Sequence, residues 1–394
     1  MSAVLQGIRV LDLGRYIAGP FCAALLADFG ADVIRVDRLG GSEDRFVMPV
    51  AADGTGAIFM QVNRGKRSIT LDIESPRGRE VVRDLVRSAD VVVVNMPPDT
   101  LRRLGLDYDA LRAVRPDVIV AVASAFGMDP AVADRVGFDG VGQAMSGAVY
   151  ASGMPLQPAK AMVPVVDFST ALACALGVMA ALLERRGSGQ GQLVEASLLR
   201  TALNMASGAL IEESLLGLDR RPSGNRSPIA GPSDIFRVRD GWIIVQVIGQ
   251  PLFNRWAALI GRPEVLDDPR FADDRGRGEH GEQLSRMMAD WCAGLSREQA
   301  LAALEHARIP AGPVNSPRQA LRDEVIGASG AFCWVAYPGL ERPAPLVAPP
   351  VGLSRTPPAL DRRSPTAGEH TDEVLAGIGY DAHRIGELRR HGVI

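Results

Sequence analysis

The sequence predicts an α/β fold in which a large parallel-sheet domain is followed by a smaller α+β domain. Three observations carry that prediction. Val/Ile runs alternate with helical segments through residues 1–125. A hairpin signal opens a different pattern after about residue 225. A proline-dense stretch then separates this second region from a short tail.

Ile8-Arg9-Val10-Leu11-Asp12-Leu13 reads as the first strand. Pro20 opens a helix, because proline is tolerated in the first turn, and Gly30 stops it after about Asp28. Strands follow at Asp32–Val36, Ser68–Asp72, Val91–Val94 and Val118–Val122, with helices near Pro76 and Tyr108–Val114 between them. Continuous apolar strands between amphipathic helices argue for a parallel sheet covered on both faces. Farther on, Ser233–Val238 and Trp242–Val247 flank Arg239-Asp240-Gly241, a hairpin signal. Helical segments follow at Pro251–Ile260, Gln283–Ala293 and Arg297–His306. From Pro338 to Pro365, eight of 28 residues are proline, a density that no helix survives. The resulting boundaries are a large domain over 1–200, a linker over 201–225, a small α+β domain over 226–325 and a proline-rich linker over 326–365. Residues 366–394 form the tail.

Composition excludes several function classes. The 394 residues are 47% hydrophobic and 23% charged, as expected for a globular protein of two or three domains. A net charge of −3 offers no basic field for nucleic acid. Cys22, Cys174, Cys292 and Cys333 form no Cys-x-x-Cys and have no His at metal spacing, so no metal site is expected. They read as buried thiols in a reducing compartment. The stretch Met1–Gln6 lacks signal-peptide features. The uncharged run Ala171–Leu183, 13 residues, is short for a bilayer. A cytoplasmic protein with no membrane partner is the expectation.

Asp167 is the leading catalytic candidate. It closes the apolar stretch Met162–Val166 and opens a long apolar helix from Phe168 to about Arg186, which reads as a strand-to-helix junction. The positive end of a helix favours a carboxylate there. The competing reading is an ordinary N-cap, a common role for Asp. The segment Asn63-Arg64-Gly65-Lys66-Arg67-Ser68 holds three cations within four residues, suited to phosphates or simply to a solvated turn. Arg38, Arg102 and Arg103 add cations at loop positions beyond strand ends, where open α/β sheets bind ligands. A dinucleotide reading of the first strand-helix-strand unit fails, because Gly14–Pro20 lacks Gly-x-Gly-x-x-Gly. No histidine precedes His280, so chemistry in the first domain must use carboxylates, Tyr, Ser or Cys.

Several short motifs occur together in order. They include Leu11-Asp12-Leu13-Gly14 with Ala18-Gly19-Pro20; Gly30-Ala31-Asp32-Val33-Ile34; Asn63–Asp72; Arg103-Leu104-Gly105-Leu106; and Gln143–Gly147. Asp167, Gly189-Gln190-Gly191-Gln192, Asp268-Pro269-Arg270-Phe271, Gly312-Pro313-Val314 and Gly368-Glu369-His370-Thr371 complete the set. On these residues the chain resembles the class III coenzyme A transferases, a group that includes formyl-CoA transferase, carnitine CoA-transferase and α-methylacyl-CoA racemase.

The resemblance implies a Rossmann-like large domain built from both chain ends, a small domain joined by linkers, and two chains interlocked as a homodimer. It implies an acyl-CoA:carboxylate CoA-transferase acting on an acyl-CoA and a small carboxylic acid, with no tightly bound cofactor. Asp167 is the implied nucleophile, passing through an aspartyl-CoA thioester. Arg38, Asn63, Lys66, Arg67, Asn95, Arg103 and Arg135 are the implied CoA contacts. Tyr16, Phe138, Asp139 and Gly249 belong to the implied substrate pocket. There are departures from the family pattern. Asn95-Met96-Pro97-Pro98 stands where the family often has Asn-Phe-Arg-Pro, so an arginine is lost at Pro97 and Arg102 is the candidate replacement. Phe138 replaces a common Tyr. Ile248-Gly249-Gln250 is a thin version of a glycine-rich loop. The alternatives on the same fold are acyl-CoA isomerisation or racemisation, and intramolecular CoA transfer. Racemisation would require a proton-moving group where Phe138 stands. A catalytically silent CoA-binding protein is a further class.

Overall fold

The computed structural model describes residues 3–360 and 362–394. Met1 and Ser2, the start of the stretch read for signal-peptide features, and Asp361 of the proline-rich stretch lie outside the described residues. The chain divides into two compact units. The first comprises Met1–Ser146, Ala161–Leu210 and Ala328–Ile394; the second comprises Gly147–Lys160 and Ile211–Gly327.

A six-stranded parallel sheet is the frame of the first unit. Its strands are β1 Arg9–Asp12, β2 Asp32–Asp37, β3 Arg67–Thr70, β4 Val91–Val94, β5 Ile119–Ser124 and β6 Leu193–Ser197. Their order is β3-β2-β1-β4-β5-β6. β1 therefore pairs with β2 on one side and β4 on the other, and the winding reverses between β1 and β4. Successive residues of each strand feed opposite faces. Val10, Val33, Val91, Val93 and Ile119 pack under the helices Ala18–Asp28 and Val165–Ser188, against Phe21, Leu25, Cys174 and Val178. Leu11, Ile34, Val36, Val92 and Val120 pack on the other face against Val81 and Leu85 of the helix Pro76–Ser88. The tail closes over this second face through Val374, Leu375, Ile385 and Leu388. Two backbone bonds fix its return: His370 N–H donates to the Ser68 carbonyl at 2.9 Å, and Asp72 N–H to the Val393 carbonyl at 2.8 Å. Burying each such Val or Leu is worth about 1.5–3 kcal/mol.

The structure corrects several sequence expectations. β6 has no counterpart among them; it is an edge strand in which only Leu193 is exposed, and its Glu and Ser mask the apolar pattern. Residues 201–225, read as a linker, include the end of the helix Leu198–Met205 and the helix Ser207–Leu216. The stretch Met162–Val166 is not a strand, and the long helix starts at Val165, behind Pro164 at its N-cap. That helix has 24 residues, long and apolar enough by length and composition to cross a bilayer. Here it is a core helix, with Val166, Ala171, Cys174, Val178 and Ala181 buried against the sheet and the Ala18–Asp28 helix.

The second unit contains a three-stranded antiparallel sheet, Ser233–Val238, Gly241–Gln246 and Ala311–Pro313. Phe236, Ile243, Phe253, Trp256, Phe271, Leu284 and Met288 form its core. The Asp240-Gly241 turn joins the first two strands, as the sequence indicates. From 338 to 365 the described residues contain no helix, and Ala344–Val347 pairs with Phe332–Val335 as a hairpin.

Candidate active site

The winding reversal between β1 and β4 leaves a crevice beyond the C-terminal ends of the strands, the usual ligand position in open α/β sheets. The first unit has a cavity of about 750 Å³ there. Its wall takes Arg15–Ala18 from the segment after β1, Asn95–Pro98 from the segment after β4, Ser124 and Ala125 from the end of β5, and Asp167. The size suits a ligand of cofactor dimensions.

The turn after β1 is shaped by glycine and by buried carboxylates. A Cβ on Gly14 would lie 2.8 Å from Pro20 Cδ and 2.9 Å from Asp12 Oδ1, so no larger residue fits the turn. Asn95 clamps the next residue on both sides: its Oδ1 accepts from Arg15 N–H at 2.8 Å, and its Nδ2 donates to the Arg15 carbonyl at 2.7 Å. Tyr16 then takes φ 61, a left-handed conformation that non-glycine residues rarely adopt. Its N–H donates to Asp44 Oδ2 at 3.1 Å, and its ring meets Phe138 edge-on at 5.5 Å. Tyr16 and Phe138 both line the cavity.

Asp167 sits in the first turn of the long helix and is 9% exposed. It does not cap its own helix. That task falls to Asp139, which is buried at the start of the helix Asp139–Met145. Asp139 Oδ1 accepts from Val166 N–H at 2.7 Å and from Asp167 N–H at 3.2 Å. Gln143 Nε2 donates to Asp139 Oδ2 at 2.5 Å, and Gln143 Oε1 accepts from Ala161 N–H at 2.9 Å. The Asp167 carboxyl has no hydrogen-bond donor among the described residues. Burial, and secondarily the nearby Asp139 carboxylate, push it up to about 7. A carboxylate left without donors in a cavity wall is available to a ligand, and the first turn of a helix adds a favourable field.

The other candidates named from the sequence divide into four groups. Arg38, Asn95, Arg103 and Arg135 line the cavity. Two of these pair with acids that also line it: Arg38 with Glu43 at 3.3 Å, and Arg103 with Glu74. Arg102 is exposed and pairs with Asp99. The Asn63–Arg67 segment goes elsewhere. Lys66 is buried, donating to Asp12 Oδ2 at 2.7 Å, the Pro20 carbonyl at 2.7 Å and Asn63 Oδ1 at 2.8 Å. Asn63 also receives Arg35 at 3.1 Å. Arg67 pairs with Asp32 and Glu373. These three residues brace the scaffold rather than line the cavity, because each already spends its polar groups on the protein. Gly249 belongs to the second unit, where its N–H donates to Asp274. Arg15 has no signal in the sequence; it lines the cavity, and its Nη1 donates to the Leu13 and Gly14 carbonyls.

Comparison with known proteins agrees with this geometry. The model of CoA-transferase family III matches residues 5–371. The chain is 34% identical to the succinyl-CoA–D-citramalate CoA-transferase of Chloroflexus aurantiacus, covering 95% of this chain and 94% of the relative. It is 35% identical to the succinate–glutarate CoA-transferase of Agrobacterium fabrum, with 95% of each covered. The crystal structure of a CaiB/BaiF family protein from Brucella suis superposes with a TM-score of 0.83 at 31% identity, covering 96% of this chain and all of that one. Set beside a cavity at the sheet's reversal point and a donor-free carboxylate in its wall, these matches mean that the chain belongs to CoA-transferase family III and is a class III CoA-transferase.

Proposed function

We propose that the protein moves CoA between carboxylic acids through a covalent intermediate on Asp167. The observation that carries this reading is the Asp167 carboxyl: it lines the cavity, accepts no hydrogen bond from the described residues, and has its capping duty taken over by Asp139. The ionised carboxylate attacks the acyl-CoA carbonyl. The C–S bond breaks, leaving a mixed anhydride and the CoA thiolate. The thiolate attacks the Asp167 carbonyl carbon of that anhydride, releasing the first acid and forming an aspartyl-CoA thioester. The acceptor carboxylate repeats the two steps in reverse, regaining the thioester and freeing Asp167. Splitting one exchange into steps of this kind is how a covalent nucleophile lowers the barrier.

Arg38, Arg103 and Arg135 hold the CoA phosphates, a role supported by their position in the cavity wall and by the fork geometry of guanidinium. Phe138 cannot carry a proton, which supports transfer over two-base racemisation. The names of the relatives above include succinyl-CoA, D-citramalate, succinate and glutarate, and a dicarboxylic acid is accordingly the first acceptor to try. We also propose a homodimer. The outer face of the long helix exposes Leu172, Leu176 and Leu183, an apolar stripe that a second copy would cover.

The test is an exchange assay with a panel of acyl-CoAs and carboxylic acids on the intact protein and on Asp167→Asn. Exchange by the wild type, and loss of about three orders of magnitude or more in the variant, is the expected result. Exchange that survives in Asp167→Asn would rule out the assignment.

A further inference from the structure

The buried charges beneath the cavity do not balance. Behind the turn that follows β1, Arg35 is bidentate to Asp44 at 2.8 and 2.9 Å and also reaches Asp37 at 2.9 Å. Arg45 pairs with the other Asp37 oxygen at 2.7 Å. Lys66 pairs with Asp12 at 2.7 Å. The three carboxylates are thus all engaged by Arg35, Arg45 and Lys66, and Arg15 is a fourth cation in the same block with no acid of its own among the described residues. Burial and the Arg35 charge together lower the Arg15 pKa, against the distant pull of those acids. Two backbone carbonyls fix the guanidinium through one nitrogen, at 2.8 and 3.1 Å. Its other N–H groups have no partner among the described residues, and none is sealed in the interior. Arg15 lines the cavity.

A pre-positioned cation with spare donors, and with no carboxylate left over for it in the block behind, calls for an anion. We propose that Arg15 is a specificity-determining residue that binds a carboxylate at the far end of the transferred acyl group, so that the enzyme prefers thioesters of dicarboxylic acids to those of monocarboxylic acids. The proposal rests on the CoA-transferase reading above and names its substrate class. The phosphates of CoA offer the same anionic chemistry. Arg38, Arg103 and Arg135, which line the same cavity and are proposed above to hold those phosphates, leave Arg15 for the carboxylate.

The half-reaction, in which an acyl-CoA alone releases its acid and leaves CoA on the enzyme, separates the cases. Succinyl-CoA and butyryl-CoA have acyl chains of equal length and differ in the terminal carboxylate. For the wild type, kcat/KM for succinyl-CoA exceeds that for butyryl-CoA. In Arg15→Gln this ratio falls by about tenfold or more, and Arg15→Lys, which restores charge without the fork, recovers part of it. The Kd of free CoA shifts by less than the ratio does. A ratio unchanged in Arg15→Gln overturns the proposal. A fall in CoA affinity that matches the loss for both thioesters also overturns it, because the anion would then be a phosphate. Far-ultraviolet circular dichroism and Tm of each variant show whether the turn survives; if Gln unfolds it, the Lys variant alone decides, with an unchanged ratio counting against the proposal. Absence of any half-reaction in the wild type would instead defeat the CoA-transferase mechanism itself.

Discussion

At the scale of single residues, Asp167 combines two properties that usually exclude each other. It is nearly buried, yet its carboxyl oxygens are left unpaired among the described residues. Raised to about 7, the group ionises within the neutral range, where it becomes a nucleophile. Stability is linked to the same proton. The folded state holds it to a higher pH than the unfolded chain does, so this contribution is full below the ordinary carboxylate range and is lost as pH rises toward 7. Asp167→Asn removes the loss. The variant is therefore expected to gain on the wild type by about 2 kcal/mol between roughly pH 5 and pH 8, as read by denaturant unfolding at each pH. A gap that shrinks with rising pH would mean that the folded state favours the ionised form. Sequence makes Asp167 visible as a residue at a helix start, but it also makes an N-cap role the natural alternative. What decides between them is a carboxylate 28 residues upstream, Asp139, and no local pattern announces a cap supplied from that distance.

At the scale of elements, the helix Asp139–Met145 holds the first turn of the long helix by one carboxylate. Asp139 does two things there: it accepts two amides and places a second negative charge near Asp167. Two variants separate these roles. Asp139→Asn keeps the acceptor for the two amides and removes the charge, at the cost of setting its NH2 against Gln143 Nε2, so the pH profile of the half-reaction moves to lower pH and Tm falls by less than in the alanine variant. Asp139→Ala removes both, so the profile moves the same way and about 1–3 kcal/mol of stability is lost with the unpaired amides. A profile that stays put in both variants would show that burial alone raises Asp167. The strands of the sheet interior are readable in the sequence because their Val/Ile runs are covered on both faces. β6 is not, since its polar residues have local duties that break the apolar run: half-buried Glu195 accepts from Met128 N–H, and buried Ser197 caps the next helix.

At the scale of the whole molecule, the charge pattern divides into a braced interior and a receptive wall. The basic segment Asn63–Arg67 looks like a ligand site in the sequence because its partners, Asp12 at 54 residues' distance among them, are invisible locally. The same limit hides Arg15, whose significance lies in a missing counter-ion, a fact of three-dimensional pairing. The first unit joins Ala328–Ile394 to residues from the start of the chain. The central claim is that Asp167 becomes covalently bonded during transfer. Incubating the enzyme with an acyl-CoA that it turns over, quenching with hydroxylamine and sequencing the peptides by mass spectrometry tests this directly. The account predicts a hydroxamate on Asp167 and on no other residue; a modification at another carboxylate, or none under turnover conditions, would contradict it.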